Sequence, residues 1–287
     1  MSLPRIGITE GDPAGIGPEI ARKAMSDARV REVCEPLVYG SAQSFTPGVL
    51  SAQAGHAACE TIVRAVRDAQ AGAIQGIATA PINKEALALA GLPWRGHTEM
   101  LAELTHAPRV AMMFWSEKLR VVLATIHIPL SAVPAALTIE SVADIIELTH
   151  RELPRFGIAR PRIAMAGLNP HAGEHGLLGT EETDVLDPAV ARSAKAGIDI
   201  AGPFPGDTIF LRAMRGEFDV VVACYHDQGL IPIKMAAFGQ AVNVTLGLPI
   251  IRTSVDHGTA FDIAGKGTAD PESMVQAVLL AAKLAAG

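Results

Sequence analysis

Short apolar runs separated by longer amphipathic stretches set the strongest limit on what this chain can fold into. RIGIT (5–9), PLVYG (36–40), GIATA (76–80), RVVLATIH (120–127), RIAMAG (162–167) and DVVVAC (219–224) all read as strands. Several are apolar throughout rather than alternating, the pattern of strands covered on both faces of a sheet. Residues 54–71, 139–156 and 183–197 between them read as helices. Near the end, VNVTLG and IIRTSVD follow each other closely and suggest an additional strand pair. The expected class is α/β with a largely parallel sheet. No Gly/Ser-rich linker divides the chain, so two domains within it would be interleaved rather than strung in series.

Composition closes off other classes. With 287 residues, 49% hydrophobic and 19% charged, the chain has room for one large or two ordinary domains and a sizeable core. A net charge of −6 without clustered Lys or Arg argues against a nucleic-acid surface. MSLPRIGITEGDP lacks the basic and apolar regions of a signal peptide. The longest apolar stretch, MVQAVLLAAKLAAG, is interrupted by Lys283 and falls short of the roughly 20 residues of a membrane span. Cys34, Cys59 and Cys224 are odd in number, far apart and in no CxxC pair, which argues against a disulfide framework or cysteine-bound zinc and points to a reducing cytoplasm.

Three of the predicted strands end in or near histidine: His127, His171 and His226. Ligands of open α/β sheets bind beyond the carboxyl ends of the strands, so three such imidazoles could converge on a metal with positions left open for substrate. Each alone reads equally as a surface residue, as do His56, His106 and His150 in helical patterns. TEGDPAGIGPE (9–19) is a tight βα turn that matches neither common nucleotide-loop spacing. HTEML (97–101) looks like a helix opening, either an ordinary cap or an anion site. Lys234 and Arg252 stand alone in apolar surroundings, and each needs a partner there, either a protein carboxylate or an anionic substrate.

DHGTAFDIAGKGTADP (256–271) resembles the HGSAPDIAGKG-type segment of isopropylmalate and isocitrate dehydrogenases, where it holds the adenosine of the dinucleotide. That resemblance assigns His257, Gly258 and Asp262 to cofactor binding. A carboxylate at Asp262 suits free ribose hydroxyls and repels a 2′-phosphate, so NAD is expected. Together with GDPAGIGPE, GHTEM, TIHIPL, LNPHAGE, GTEE, DTIF, YHDQGLIPIK and VNVTLGLPIIRTSVDHGTA, the chain resembles the 4-hydroxythreonine-4-phosphate dehydrogenase (PdxA) family over nearly its whole length.

The resemblance implies two interleaved α/β domains of the isocitrate/isopropylmalate dehydrogenase kind, approximately 1–90 with 240–287 and 91–239. It also implies a homodimer whose active site is shared and lies in the interdomain cleft. Metal ligands would be His127, His171 and His226, the last from the neighbouring subunit, with Zn, Co, Mn or Mg as the divalent ion. Substrate contacts would be His97, Thr98, Lys234, Asn243 and Arg252. Asp207, Asp227 and Lys234 are the catalytic candidates. Two departures stand out: segment 41–53 is shorter than in typical members, and Gln240 replaces a residue that is often basic.

The implied reaction is oxidation of the secondary alcohol of 4-phosphooxy-threonine to a β-keto acid that decarboxylates to 3-amino-2-oxopropyl phosphate, on the way to pyridoxal phosphate. Catabolic branches acting on threonate or erythronate 4-phosphate or on an aromatic cis-dihydrodiol are the alternatives. A metal-dependent phosphohydrolase is the alternative of another class, and it would have no use for an adenosine loop.

Overall fold

The computed structural model describes residues 3–237 and 239–287. Ten strands occur among them: β1 (Arg5–Thr9), β2 (Glu35–Tyr39), β3 (Gly76–Thr79), β4 (Ala111–Trp115), β5 (Arg120–Leu123), β6 (Ile163–Ala166), β7 (Ile200–Phe204), β8 (Val220–Ala223), β9 (Val242–Leu246) and β10 (Arg252–Ser254). The chain folds as two compact α/β units. One spans Met1–Val110 with Val242–Gly287, the other Ala111–Ala241, so the first is assembled from both ends of the chain. It runs on to Val110 and therefore includes the helix His97–Leu104.

In the first unit the strand order is β2-β1-β3-β10-β9. β1, β2, β3 and β10 run parallel, and β9 pairs antiparallel with β10, which is the additional pair read from the sequence. Ile6 and Ile8 of β1 are fully buried, as a strand without alternation requires when both faces are covered. On the Ile77 face lie Ile62, Ala65 and Val66 of the helix Ala52–Gln70, at helical spacing, with Met100 and Leu101 of the helix His97–Leu104. On the opposite face Thr253 donates from Oγ1 to the Ala277 carbonyl of the helix Glu272–Ala285 (2.8 Å).

In the second unit the order is β4-β5-β8-β6-β7, with β5, β8, β6 and β7 parallel and β4 antiparallel to β5. Val121, Leu123, Ala164, Ala166, Val221 and Ala223 form its buried floor, under Ile209, Phe210, Leu230 and Ile233 from two helices, Gly206–Met214 and His226–Ala236. β4 and β7 are additions to the sequence reading. β4 (AMMFW) is an unbroken apolar run rich in Ala and Met, which periodicity does not assign to strand. β7 (IAGPF) carries Pro203, tolerated because the strand lies at the end of the order. β5 stops at Leu123, but Ala124 and Thr125 still donate to the Ala223 and Cys224 carbonyls, so His127 lies just past the ladder. His106, read as helical, sits beyond the helix end in a left-handed conformation (φ 53°).

Candidate active site

The first unit builds a polar row from strand pairing alone. Thr9, Thr79, Ser254 and Asn243 are successive register partners across β1, β3, β10 and β9. Register partners share a face, so the four side chains line one edge of the sheet. Arg252, two residues before Ser254, lies on that face at 3% exposure. Its Nε and Nη2 donate to Thr79 Oγ1 (3.2 and 2.7 Å), and its Nη1 donates to Thr245 Oγ1 (2.9 Å). Among the described residues no carboxylate lies within ion-pair distance of it, and burial pushes its pKa down to about 9.

His97 opens the helix His97–Leu104 after the extended Gly96. Burial first, and then the Arg252 charge, holds His97 well below the ordinary imidazole range, so it is neutral at physiological pH. Its Nε2 is shut off from solvent without a protein partner, as are Asn243 Oδ1, Thr9 Oγ1 and Asp12 Oδ2. A buried cation with only hydroxyl acceptors, a neutral imidazole and a helix N-terminus form a site for an anion. Of the residues expected to contact substrate, His97, Asn243 and Arg252 come together here, with Thr98 next along the helix. Thr79 and Thr245 escaped the sequence reading, because nothing in a lone threonine reports its cross-strand partner, whereas Thr9 and Asp12 belong to the TEGDPAGIGPE turn, read as a βα turn or a ligand contact. Burial raises the Asp12 carboxyl, whose Oδ1 accepts from the Ala14 amide (2.8 Å).

The loop read as the adenosine site is fastened to the first βα turn. Ile16 N donates to Thr259 O (3.0 Å), and a side chain at Gly15 would meet that same oxygen at 2.9 Å. Glu19 accepts from the Ala269 and Gly267 amides (2.8 and 3.2 Å), while Lys23 Nζ donates to the carbonyls of the same two residues (2.8 and 3.0 Å). The GIGPE turn therefore shapes the GKGTAD loop. His257 places Nδ1 3.0 Å from its neighbour's carbonyl at Gly258 and leaves Nε2 buried without a partner. Asp262 is exposed.

In the second unit the three histidine-bearing strands are neighbours, in the order β5-β8-β6. The His127 and His226 rings lie 5.4 Å apart between centroids, inclined by 46°. His226 Nδ1 is 2.7 Å from Asp227 Oδ1, a carboxylate–imidazole pair that fixes the ring and leaves Nε2 to bind. His226 is the ligand expected to serve the neighbouring subunit's metal, and within one chain its ring lies beside that of His127. His171 does not join them. Among the described residues no three His, Cys, Asp or Glu side chains gather closely enough to hold a metal. His171 instead lines a groove of about 880 Å³ with Asp207, Tyr225, Asp227, Gln228 and Met235. Gln228 braces this edge by accepting from Cys224 N (2.7 Å) and donating to Gly167 O (2.6 Å). Lys234 lies half-buried in the helix that His226 opens. In donor type the imidazoles fit a borderline divalent metal, Zn, Co or Mn more readily than Mg.

His171 is held on an unusual backbone. Residues 171–175 all have positive φ, and four of them (His171, Ala172, Glu174 and His175) are not glycine. A left-handed turn costs an L-residue ~1–2 kcal/mol per position, so neighbouring contacts have to impose it.

Comparison with known proteins decides the family. The profile described as "Pyridoxal phosphate biosynthetic protein PdxA" matches residues 14–281. The chain belongs to the PdxA family. A relative named 4-hydroxythreonine-4-phosphate dehydrogenase, from Desulforapulum autotrophicum, is 47% identical over 97% of this chain and 95% of its own. A relative from Salmonella typhimurium named D-threonate 4-phosphate dehydrogenase is 43% identical over 99% of this chain and all of its own. The crystal structure of a 4-hydroxythreonine-4-phosphate dehydrogenase from Klebsiella pneumoniae superposes with a TM-score of 0.90 at 42% identity, over 99% of this chain and 98% of that one. An isocitrate dehydrogenase from Methylococcus capsulatus shares the fold alone (TM-score 0.53, 18% identity). These relatives are dehydrogenases by name, and the PdxA-family chain described here is an oxidoreductase of that fold. No helix among the described residues is long and apolar enough to cross a membrane.

Proposed function

We propose that this PdxA-family protein oxidises the secondary alcohol of a small phosphorylated hydroxy acid, with NAD as oxidant and a divalent metal as Lewis acid. The observation that carries the reading is Arg252, a buried cation with no carboxylate beside it, in a chain whose full-length relatives are named for phosphorylated substrates. Arg252, neutral His97, Thr98 and Asn243 bind the substrate phosphate, and Lys234 adds a further cation. His257 and Gly258 hold the adenosine of the dinucleotide, and Asp262 accepts from its ribose hydroxyls.

When bound, the metal lowers the pKa of the substrate hydroxyl, and the nicotinamide accepts the hydride. His127 and His171 of one subunit would hold that metal, and His226, its ring fixed by Asp227 through Nδ1, would reach it from the neighbouring subunit. Asp207 and Asp227 are the carboxylates suited to carrying the substrate's proton. The active species is a homodimer in the cytoplasm.

The leading substrate is 4-phosphooxy-threonine, oxidised to a β-keto acid that loses CO₂ to give 3-amino-2-oxopropyl phosphate. The second reading is D-threonate 4-phosphate, favoured by relatives of that name at 43% identity. Both are settled by mixing the metal-loaded protein and NAD with each substrate and measuring reduced nicotinamide and released CO₂. Turnover of the amino acid at least tenfold above the threonate is the expected result. Turnover of neither, with inorganic phosphate released instead, would refute a dehydrogenase.

A further inference from the structure

The GTEE stretch at 179–182 is absorbed by no step described so far, yet its last residue lies beneath His171. Glu182 is 2% exposed. Its Oε1 accepts from the amides of Leu168 (2.8 Å) and Asn169 (2.7 Å), and its Oε2 accepts from Asn169 Nδ2 (2.9 Å). Asn169 Nδ2 also donates to Glu181 Oε2 (2.7 Å). The carboxylate therefore grips the chain in the three residues before His171.

It also reaches the far side of the left-handed turn. A side chain at Gly173 would meet Glu182 Oε2 at 2.7 Å, and one at Gly167 would meet Oε1 at 3.3 Å. Gly173 has φ +78°, within the run 171–175. The chain at Gly167, before the turn, and at Gly173, in its middle, thus closes on one buried carboxyl group, and a Cβ at Gly173 would push that group away. A five-residue left-handed run dominated by non-glycine residues does not persist by its own preference. Something outside the run holds it, and Glu182 is the group in position to do so.

We infer that Glu182 is the positioning residue for His171: its hydrogen bonds hold the left-handed turn and thereby set the direction in which the imidazole is offered to a metal. This rests on the proposed metal-binding role of His171. The chemistry requires no charge transfer at Glu182, only two fixed acceptor oxygens. Its effect must therefore pass through His171 and through nothing in the first unit.

A double-mutant cycle reads that dependence. Metal-stripped full-length protein is titrated with cobalt(II), followed by its visible ligand-field absorption, and separately with inorganic phosphate by calorimetry. His171→Ala weakens cobalt binding, and Glu182→Ala weakens it by roughly 10–100-fold, the usual range for a group that orients a ligand. In the double variant the loss is no greater than in His171→Ala alone, and phosphate affinity stays at the wild-type value in all three. Losses that multiply, or wild-type cobalt affinity in Glu182→Ala beside a weakened His171→Ala, overturn the inference. Wild-type cobalt affinity in His171→Ala refutes the metal assignment itself and the inference with it. Where Glu182→Ala does not fold, Glu182→Gln carries the same cycle. Its amide keeps an acceptor for the two backbone donors but turns a donor toward Asn169 Nδ2, and a loss of several-fold that vanishes in the His171→Ala background is expected.

Discussion

Removing the Arg252 charge should make the empty protein more stable and the protein unable to bind phosphate. Arg252→Met keeps most of the side-chain volume while deleting the guanidinium. In the folded chain that group sits at 3% exposure with two threonine hydroxyls and, among the described residues, no carboxylate, and burial lowers its pKa from the ordinary guanidinium range to about 9. At 1.36 kcal/mol per pH unit the fall corresponds to roughly 5 kcal/mol of cost to folding with the charge in place. The sign is that of a cation held below its unfolded value: the unfolded chain binds the extra proton above about pH 9, so the cost is fully present at neutral pH and is relieved as pH rises past about 9. Against it stand three hydrogen bonds to Thr79 and Thr245, worth about 1 kcal/mol each. The net is a stabilisation of roughly 2 kcal/mol, within the range seen when buried charged groups give way to apolar ones. Thermal unfolding without ligand should therefore rise by about 4 °C, at roughly 2 °C per kcal/mol for a chain of this size. Inorganic phosphate should raise the midpoint of wild type by mass action and leave the variant unmoved. A variant that unfolds earlier than wild type yet still responds to phosphate would refute the reasoning, because Arg252 would then be a structural cation with a partner.

Three further outcomes follow from the same geometry. Mixing inactive His127→Ala and His226→Ala subunits should restore activity through one intact site, because that site takes His127 and His226 from different chains; absence of rescue after confirmed subunit exchange would count against a shared site. Since His97 is held below its ordinary pKa, the unfolded chain takes up the proton first on acidification. Stability should then fall as pH drops through about 6.5, and His97→Gln should flatten that slope in urea titrations; an unchanged slope would place the titration elsewhere. Asp262→Asn should narrow the preference for NAD over NADP by roughly 1–3 kcal/mol, about ten- to a hundredfold in kcat/KM, mostly by weakening NAD; an unchanged ratio would remove Asp262 from the cofactor site.

The parts of the fold legible in the sequence are those where local pattern and tertiary position agree. The runs IGI of RIGIT and VVVA of DVVVAC are apolar and buried on both faces in β1 and β8, so no information beyond the run was needed. AMMFW is equally buried as β4, but Ala and Met favour no strand, and only its pairing with β5 makes it one. Arg252 stood out because a cation between LPII and TSV has to be explained. Thr79 and Thr245 did not, because their role exists only once β3, β10 and β9 are placed side by side. NPHAGEHG gave His171 by type but not its conformation: two glycines in eight residues do not announce a left-handed run through four other side chains. That run depends on Glu182, whose closeness is a property of the tertiary fold.

Two places where the chain departs from its own local preferences also carry candidate chemistry. A carboxylate in place of Thr79 or Thr245 would satisfy Arg252 and stabilise the fold. It would also repel an incoming phosphate and leave no charge for it. Hydroxyls orient the guanidinium without neutralising it, so the cost of burying the cation stays with the empty protein and is offset only when an anion arrives. Likewise a right-handed turn after Asn169 would be easier to form than residues 171–175 as they stand, but the side chains would then leave the backbone in other directions. Sequence that is consistent at every level describes most of this molecule. Where it is inconsistent, at Arg252 and at His171, the neighbouring residues that enforce the exception are Thr79, Thr245 and Glu182, and each does so by accepting hydrogen bonds. Conserving those acceptors while varying everything around them should preserve both sites, which makes them better markers of function in this chain than the cation or the imidazole alone.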